Sequence, residues 1–188
     1  MRIALLLAAA ALAILPAPAR ATTIAPAPEP SGDAIVFAAG RYHCDVWIPR
    51  ITPDELLATV IGNCLLLEPG SLIRPEPGNT FGCQMTLPGI PGTGMIQVES
   101  QWRFPAPGIQ HPLTGELLRV SNGTEDLIAG GDLQMLYRFD YPGELVEGVW
   151  MFEARLDGRV IASCCFNVTR DPSAVSSSPI AACATPVS

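Results

Sequence analysis

Residues 149–168, VWMFEARLDGRVIASCCFNV, read as two strands folded back on each other about a tight turn. Trp150, Phe152, Ala154 and Leu156 fall on one face of the first strand, and Met151, Glu153 and Arg155 on the other, the two-residue period of a half-buried strand. Asp157-Gly158 then supplies the residue pair favoured in a type I′ turn, where both central residues need positive φ. On the return strand Val160, Ala162, Cys164, Phe166 and Val168 continue an apolar face, so Cys164 is expected to point inward and its neighbour Cys165 outward.

Outward from this hairpin, short apolar runs recur at intervals of about ten residues, divided by Gly and Pro, the pattern of an antiparallel sandwich or barrel. Strands are predicted over 34–39, 41–47, 58–67, 80–87, 94–101, 117–120 and 131–139, in addition to 149–156 and 159–168. The one helical signal is Thr52-Pro53-Asp54-Glu55, a capping box with Pro at the first helical position, which predicts a turn or two of helix. The fold class expected is therefore all-β, an antiparallel β-sandwich braced by disulfides. The domain is expected to span residues 34–170. It is preceded by an extended Ala- and Pro-rich segment at 22–33 and followed by a Ser- and Pro-rich tail at 171–188.

Residues 1–21 carry the pattern of a secretory signal peptide: Arg2, an apolar run from Ile3 to Leu15, and a small-residue cleavage site ending at Ala21. The run is too short to span a bilayer, and no cysteine marks a lipidation point. The mature chain is expected to be periplasmic or secreted, with no stable membrane insertion. Eleven basic residues, all Arg, fall to nine once Arg2 and Arg20 are removed; against eighteen acidic residues this leaves a net charge of −9. Such an acidic chain argues against nucleic acid as a partner.

Export makes the cysteines at 44, 64, 83, 164, 165 and 183 disulfide candidates rather than metal ligands. Cys64 and Cys83 lie on successive predicted strands around a Pro-rich turn, and a bridge between them would contribute roughly 3 kcal/mol through chain entropy. Cys44 is then expected to join the last strand through Cys164 or Cys165, while Cys183 tethers the tail or links two chains.

The stretch FDYPGELVEGVW at 139–150, with Phe152-Glu153-Ala154 and the Asp157-Gly158 turn, resembles a family of short bacterial secreted proteins, the domain of unknown function 3859. AGRYHC at 39–44, Phe81-Gly82 and HPLTG at 111–115 agree with it. The resemblance covers Ile35 to Val168; it implies a secreted β-domain and transfers no catalytic residue. The Gly-x-Trp-x-Phe strand from Gly148, the Asp-Gly turn and the closing Phe-x-Val strand also resemble the end of an immunoglobulin-like module.

Chemistry is sparsely signalled. His43 adjoins Cys44 on a strand, which sends the two side chains to opposite faces, and His111 sits in a Pro-flanked loop read as a solvated turn. No C-x-x-C or H-x-x-x-H spacing suggests a metal, and Met85, Met95, Met135 and Met151 are read as core residues rather than a soft-metal cluster. No cofactor is expected. Trp47 and Trp102 fall off the cleanest core faces and mark a candidate partner patch. The reading these features favour is a non-catalytic module that binds a protein or envelope component. Two others stay open: a hydrolase using carboxylates from the Gly- and Pro-rich loops such as Glu125, Asp126 and Asp132, and an inhibitor presenting the Pro88-Gly89-Ile90-Pro91-Gly92 loop.

Overall fold

In the computed structural model, residues 35–52, 55–60, 63–86, 94–128, 131–171 and 173 are described. The proposed cleavage site at Ala21, the leader, Cys183 and the Pro88–Gly92 loop lie outside them.

The hairpin that anchors the fold pairs β12 (Gly148–Leu156) with β13 (Arg159–Val168), and Asp157 and Gly158 adopt φ of 52° and 75° as the turn requires. A bulge opposite Arg155 shifts the register, so Ile161 and Ala162 both enter the core and Val160 is only half-buried. The far edge of β12 pairs with β7 (Met95–Arg103), which pairs with β10 (Val120–Ile128). A short parallel strand, β5 (Leu72–Ile73), closes the other side, giving a five-stranded sheet in the order β10-β7-β12-β13-β5.

The second sheet runs β11-β6-β1-β4, built from β1 (Ile35–Cys44), β4 (Cys64–Pro69), β6 (Thr80–Thr86) and β11 (Asp132–Arg138). Two short ladders lie outside the sheets: β2 (Trp47–Thr52) with β3 (Glu55–Val60), and β8 (Ile109–Gln110) with β9 (Leu117–Leu118).

The sheets stack through their apolar faces. Phe81 of β6 is the hub: its ring centroid lies 5.8 Å from Trp102, 6.0 Å from Tyr137, 5.1 Å from Phe139, 5.6 Å from Trp150 and 5.3 Å from Phe166. Such edge-to-face and tilted pairs add about 0.5–1.5 kcal/mol each beyond the area they bury. The Cys83–Cys164 disulfide ties β6 to β13 through this same core.

Several sequence expectations are corrected. Thr52 and Glu55 are paired across the β2–β3 hairpin, so the capping-box sequence joins two strands and no helix follows it. The stretches on either side carry Ile48, Ile51, Thr59 and Val60, β-branched residues that suit a ladder better than a short helix. Gly40 does not separate two strands but lies within β1, and the span 58–67 is divided between β3 and β4. Glu125 and Asp126, expected in a loop, lie in the edge strand β10, and Asp132 opens β11.

Candidate binding surface

The sulfur pairing differs from the expected one. Cys64 does not bridge to Cys83, because β1 stands between β4 and β6, and Cys64 instead faces Cys44 in the β1–β4 ladder and bonds to it. Cys83 faces the core and meets Cys164, so Cys44 joins neither Cys164 nor Cys165. Cys165 is disulfide-bonded as well.

The residues considered for catalysis are dispersed. Glu125 and Asp126 occupy successive positions of β10 and so project to opposite faces; Asp126 accepts from Gln97 at 3.4 Å. Burial, with Asp126 beside it, pushes the Glu125 carboxyl up. Asp132 begins β11 in the other sheet and accepts from the Thr86 hydroxyl at 2.7 Å. His111 is fully buried, not solvated: its Nδ1 accepts the backbone N–H groups of Leu113 and Thr114 at 3.1 and 3.2 Å, which places the ring proton on Nε2 and makes it the brace of the β8–β9 turn. His43 is exposed, while the Cys44 sulfur is committed to its disulfide.

Among the described residues no group of three or more His, Cys, Asp or Glu is placed to hold a metal. Met85 and Met135 are core residues, whereas Met95 is exposed and Met151 half-buried. Trp102 leaves the proposed partner patch: it lies on the inner face of β7, against Phe152 at 5.4 Å and Tyr137 at 5.6 Å. Trp47 opens β2, with its backbone opposite Val60.

A polar centre that sequence reading passed over sits beneath the short 3₁₀ turn Pro142–Glu144. The buried Glu144 carboxylate accepts the Tyr137 hydroxyl at 3.0 Å and the backbone N–H groups of Asp140 and Tyr141 at 2.7 and 3.0 Å. Burial outweighs these bonds and raises its carboxyl above the usual range. The Trp150 indole N–H donates to the Val146 carbonyl at 2.9 Å, so the FDYPGELV segment at 139–146 fastens both the turn and the central tryptophan. The signal was the Tyr-x-x-Glu-like spacing of a capping box at Tyr141 and Glu144. Its role is structural.

An exposed apolar flank lies where the two sheets meet on one side. β4 is an edge of the four-stranded sheet and β5 an edge of the five-stranded one, and the chain crosses between them through Gly70 and Ser71. The Gly70 N–H bonds to the Ala39 carbonyl at 3.0 Å, and the Asn167 N–H to the Ser71 carbonyl at 2.7 Å, fixing the crossing to both sheets. Along this flank Leu65, Leu67 and Leu72 are 65%, 44% and 41% exposed.

Beside them a cleft of about 460 Å³ is lined by Arg41, Glu68, Leu72, Arg74, Glu76 and Asn79, with Ile73 at its base. Arg41 donates to Glu68 at 2.7 Å; this bond lowers the Glu68 carboxyl and raises the guanidinium. Asn79 holds the Arg74 carbonyl at 3.1 Å. Apolar side chains beside a charged cleft match the general composition of a protein-binding patch, an apolar centre with a polar rim.

Two stacked sheets, antiparallel except for the short β5–β13 pairing, a disulfide between them and an aromatic cluster around a buried tryptophan define an immunoglobulin-like β-sandwich protein. Among solved structures, the chain is similar to an immunoglobulin-like protein from Pseudomonas aeruginosa, with a TM-score of 0.48 and 20% identity over 74% of this chain and 100% of that one. No protein-family model matches the chain, and no curated protein does. No described helix is long and apolar enough to cross a membrane.

Proposed function

We propose that the protein is an extracytoplasmic binding module that engages a protein or envelope component through the flank where β4 and β5 adjoin. The observation that carries this reading is the exposure of Leu65, Leu67 and Leu72 along two sheet edges next to a charged cleft. Exposed apolar edges are hazardous for an isolated domain, which selects for charges and covering segments there, and a partner is one such cover. Arg41, Glu68, Arg74 and Glu76 supply the polar rim.

Placement outside the cytoplasm is supported by the disulfides, which persist in oxidising compartments, together with the leader pattern of residues 1–21. Membership of the domain of unknown function 3859 family belongs to the same proposal, carried by FDYPGELVEGVW at 139–150 and AGRYHC at 39–44.

Crosslinking capture from an envelope extract, read by mass spectrometry, tests the surface. Wild type is expected to recover a partner that the Leu65→Asp/Leu72→Asp variant does not. Equal recovery by both would remove this flank from the interaction.

A further inference from the structure

β4 ends the four-stranded sheet, and among the described residues it pairs with β1 alone. Its free edge presents a row of backbone N–H and C=O groups, the template on which another strand adds. Leu65 and Leu67, 65% and 44% exposed, lie two residues apart on one face of β4, with Leu66 half-buried between them.

We propose that the occupant of this edge is a second copy of the chain, paired antiparallel, β4 to β4, about a two-fold axis through Leu66. The inference rests on the reading of the β4–β5 flank as a binding surface and names its partner. Residues directly opposite in an antiparallel pair share a face, so the two-fold axis must pass through a residue rather than between two. With Leu66 on the axis, Leu65 of each copy faces Leu67 of the other, and Pro69, which has no N–H to donate, stays outside the contact. An axis through Leu65 would set Leu67 opposite Asn63, and one through Leu67 would set Leu65 opposite Pro69. The register about Leu66 joins the two four-stranded sheets edge to edge.

Charge selects the same partner. The chain carries a formal net charge of −7, so on average a second copy is repelled. The cleft beside β4 is balanced instead, with Arg41 and Arg74 set against Glu68 and Glu76. A patch that meets itself across a two-fold axis must be its own complement, and apolar side chains beside balanced charge satisfy that condition. Arg41 and Glu68 are already joined at 2.7 Å, so covering them leaves neither charge unpaired. The edge is also preorganised: the Cys44–Cys64 bridge pins the start of β4 to β1, and the Gly70 N–H bond to the Ala39 carbonyl holds its end.

The test uses the full exported chain purified without reductant. Sedimentation of wild type between about 1 μM and 1 mM is expected to show the mass rising from one chain toward two. Leu65→Asp/Leu67→Asp alters exposed positions, so its circular dichroism should match wild type while dimerisation weakens about a hundredfold or more, because like charges then meet across the axis. In Leu66→Cys the introduced thiols stand on Cα atoms about 5 Å apart, and mild oxidation should join the two chains. Gln97→Cys, exposed on β7 of the other sheet, serves as the control and should crosslink at least tenfold more slowly.

Wild type with the mass of one chain at every concentration, an equally strong dimer in folded Leu65→Asp/Leu67→Asp, or a Leu66→Cys crosslink no faster than that of Gln97→Cys would each overturn the pairing. Should the aspartate variant not fold, the Leu66→Cys crosslink decides alone. A monomer whose capture from the envelope extract still depends on Leu65 and Leu72 would assign the edge to another protein, so that this inference falls and the binding surface stands. Capture indifferent to those leucines would remove the surface as well.

Discussion

Gly40 on β1 and Gly82 on β6 stand directly opposite each other in the four-stranded sheet, both at φ of 152°. Each lets a neighbouring strand approach where a side chain would stand: a Cβ on Gly82 would meet the Met135 carbonyl at 2.0 Å, and one on Gly40 the Glu68 carbonyl at 2.1 Å. This facing pair draws β11 and β4 against the two central strands, and β4 carries Leu65, Leu67 and Glu68 of the proposed binding flank. Gly82→Ala and Gly40→Ala are each expected to cost about 3 kcal/mol or more, since the obstacle is backbone and the φ is unfavourable to any L side chain. Urea unfolding of the two variants checks this; a loss under 1 kcal/mol at both would contradict the packing.

Tyr42 offers the opposite case. Its hydroxyl is buried with no hydrogen-bond partner, and burial pushes the phenol up to about 12. Tyr42→Phe removes an uncompensated polar group and is expected to be neutral or to stabilise by about 1 kcal/mol. Between pH 10 and about 12 the unfolded chain releases a proton that the folded chain keeps, so stability falls as pH rises through that window. Tyr42→Phe should remove that part of the slope, which unfolding midpoints measured from pH 9 upward would reveal.

Glu144 links the FDYPGE turn to the core, and two substitutions separate its charge from its geometry. Glu144→Ala strips the partner from the Tyr137 hydroxyl and from the N–H groups of Asp140 and Tyr141, a loss of about 3 kcal/mol. In Glu144→Gln the amide oxygen can still accept both N–H groups while the amide N–H donates to Tyr137. Because the folded carboxyl lies above its ordinary 4.5, the native chain binds its proton more tightly. Its stabilising contribution is complete below pH 4.5 and is lost as pH rises through the raised value. Glu144→Gln should abolish that loss; an unchanged pH profile would show that the carboxyl is not displaced upward.

The two fully described bridges differ in the loop each closes. Cys44 and Cys64 are 20 residues apart, Cys83 and Cys164 are 81 apart. In the chain-entropy model, removing the first pair as a double Ala variant costs about 3 kcal/mol and removing the second about 4.5 kcal/mol. The Cys83→Ala/Cys164→Ala variant additionally loses core sulfur, so its denaturation midpoint is expected to fall further than that of Cys44→Ala/Cys64→Ala.

What the sequence made legible follows from where local pattern and final structure agree. The β12–β13 hairpin was readable because alternation and the Asp-Gly turn point the same way, and the sandwich class followed from it. β10 was hidden because Ser121, Gly123 and Glu125 occupy its inward positions, where an apolar period would have advertised a strand; Asn122-Gly123 instead suggests a turn. The cysteine pairing depended on strand order, which places β1 between β4 and β6, and no local spacing encodes that order. Trp102 was misplaced because the strand expected over 94–101 stops one residue short of it, and Ser100 interrupts the inward run of Ile96, Val98 and Trp102 on β7. The β4–β5 flank was invisible because its residues join only when two sheet edges meet.

Non-reducing peptide mapping of the exported protein bears on the whole arrangement, because the bridge between sheets requires the strand order, the inward face of β6 and the oxidising compartment together. A Cys83 peptide disulfide-linked to the peptide that carries Cys164 and Cys165 is the expected result. Cys83 linked to Cys64, or recovered as a free thiol, would contradict the pinned sandwich.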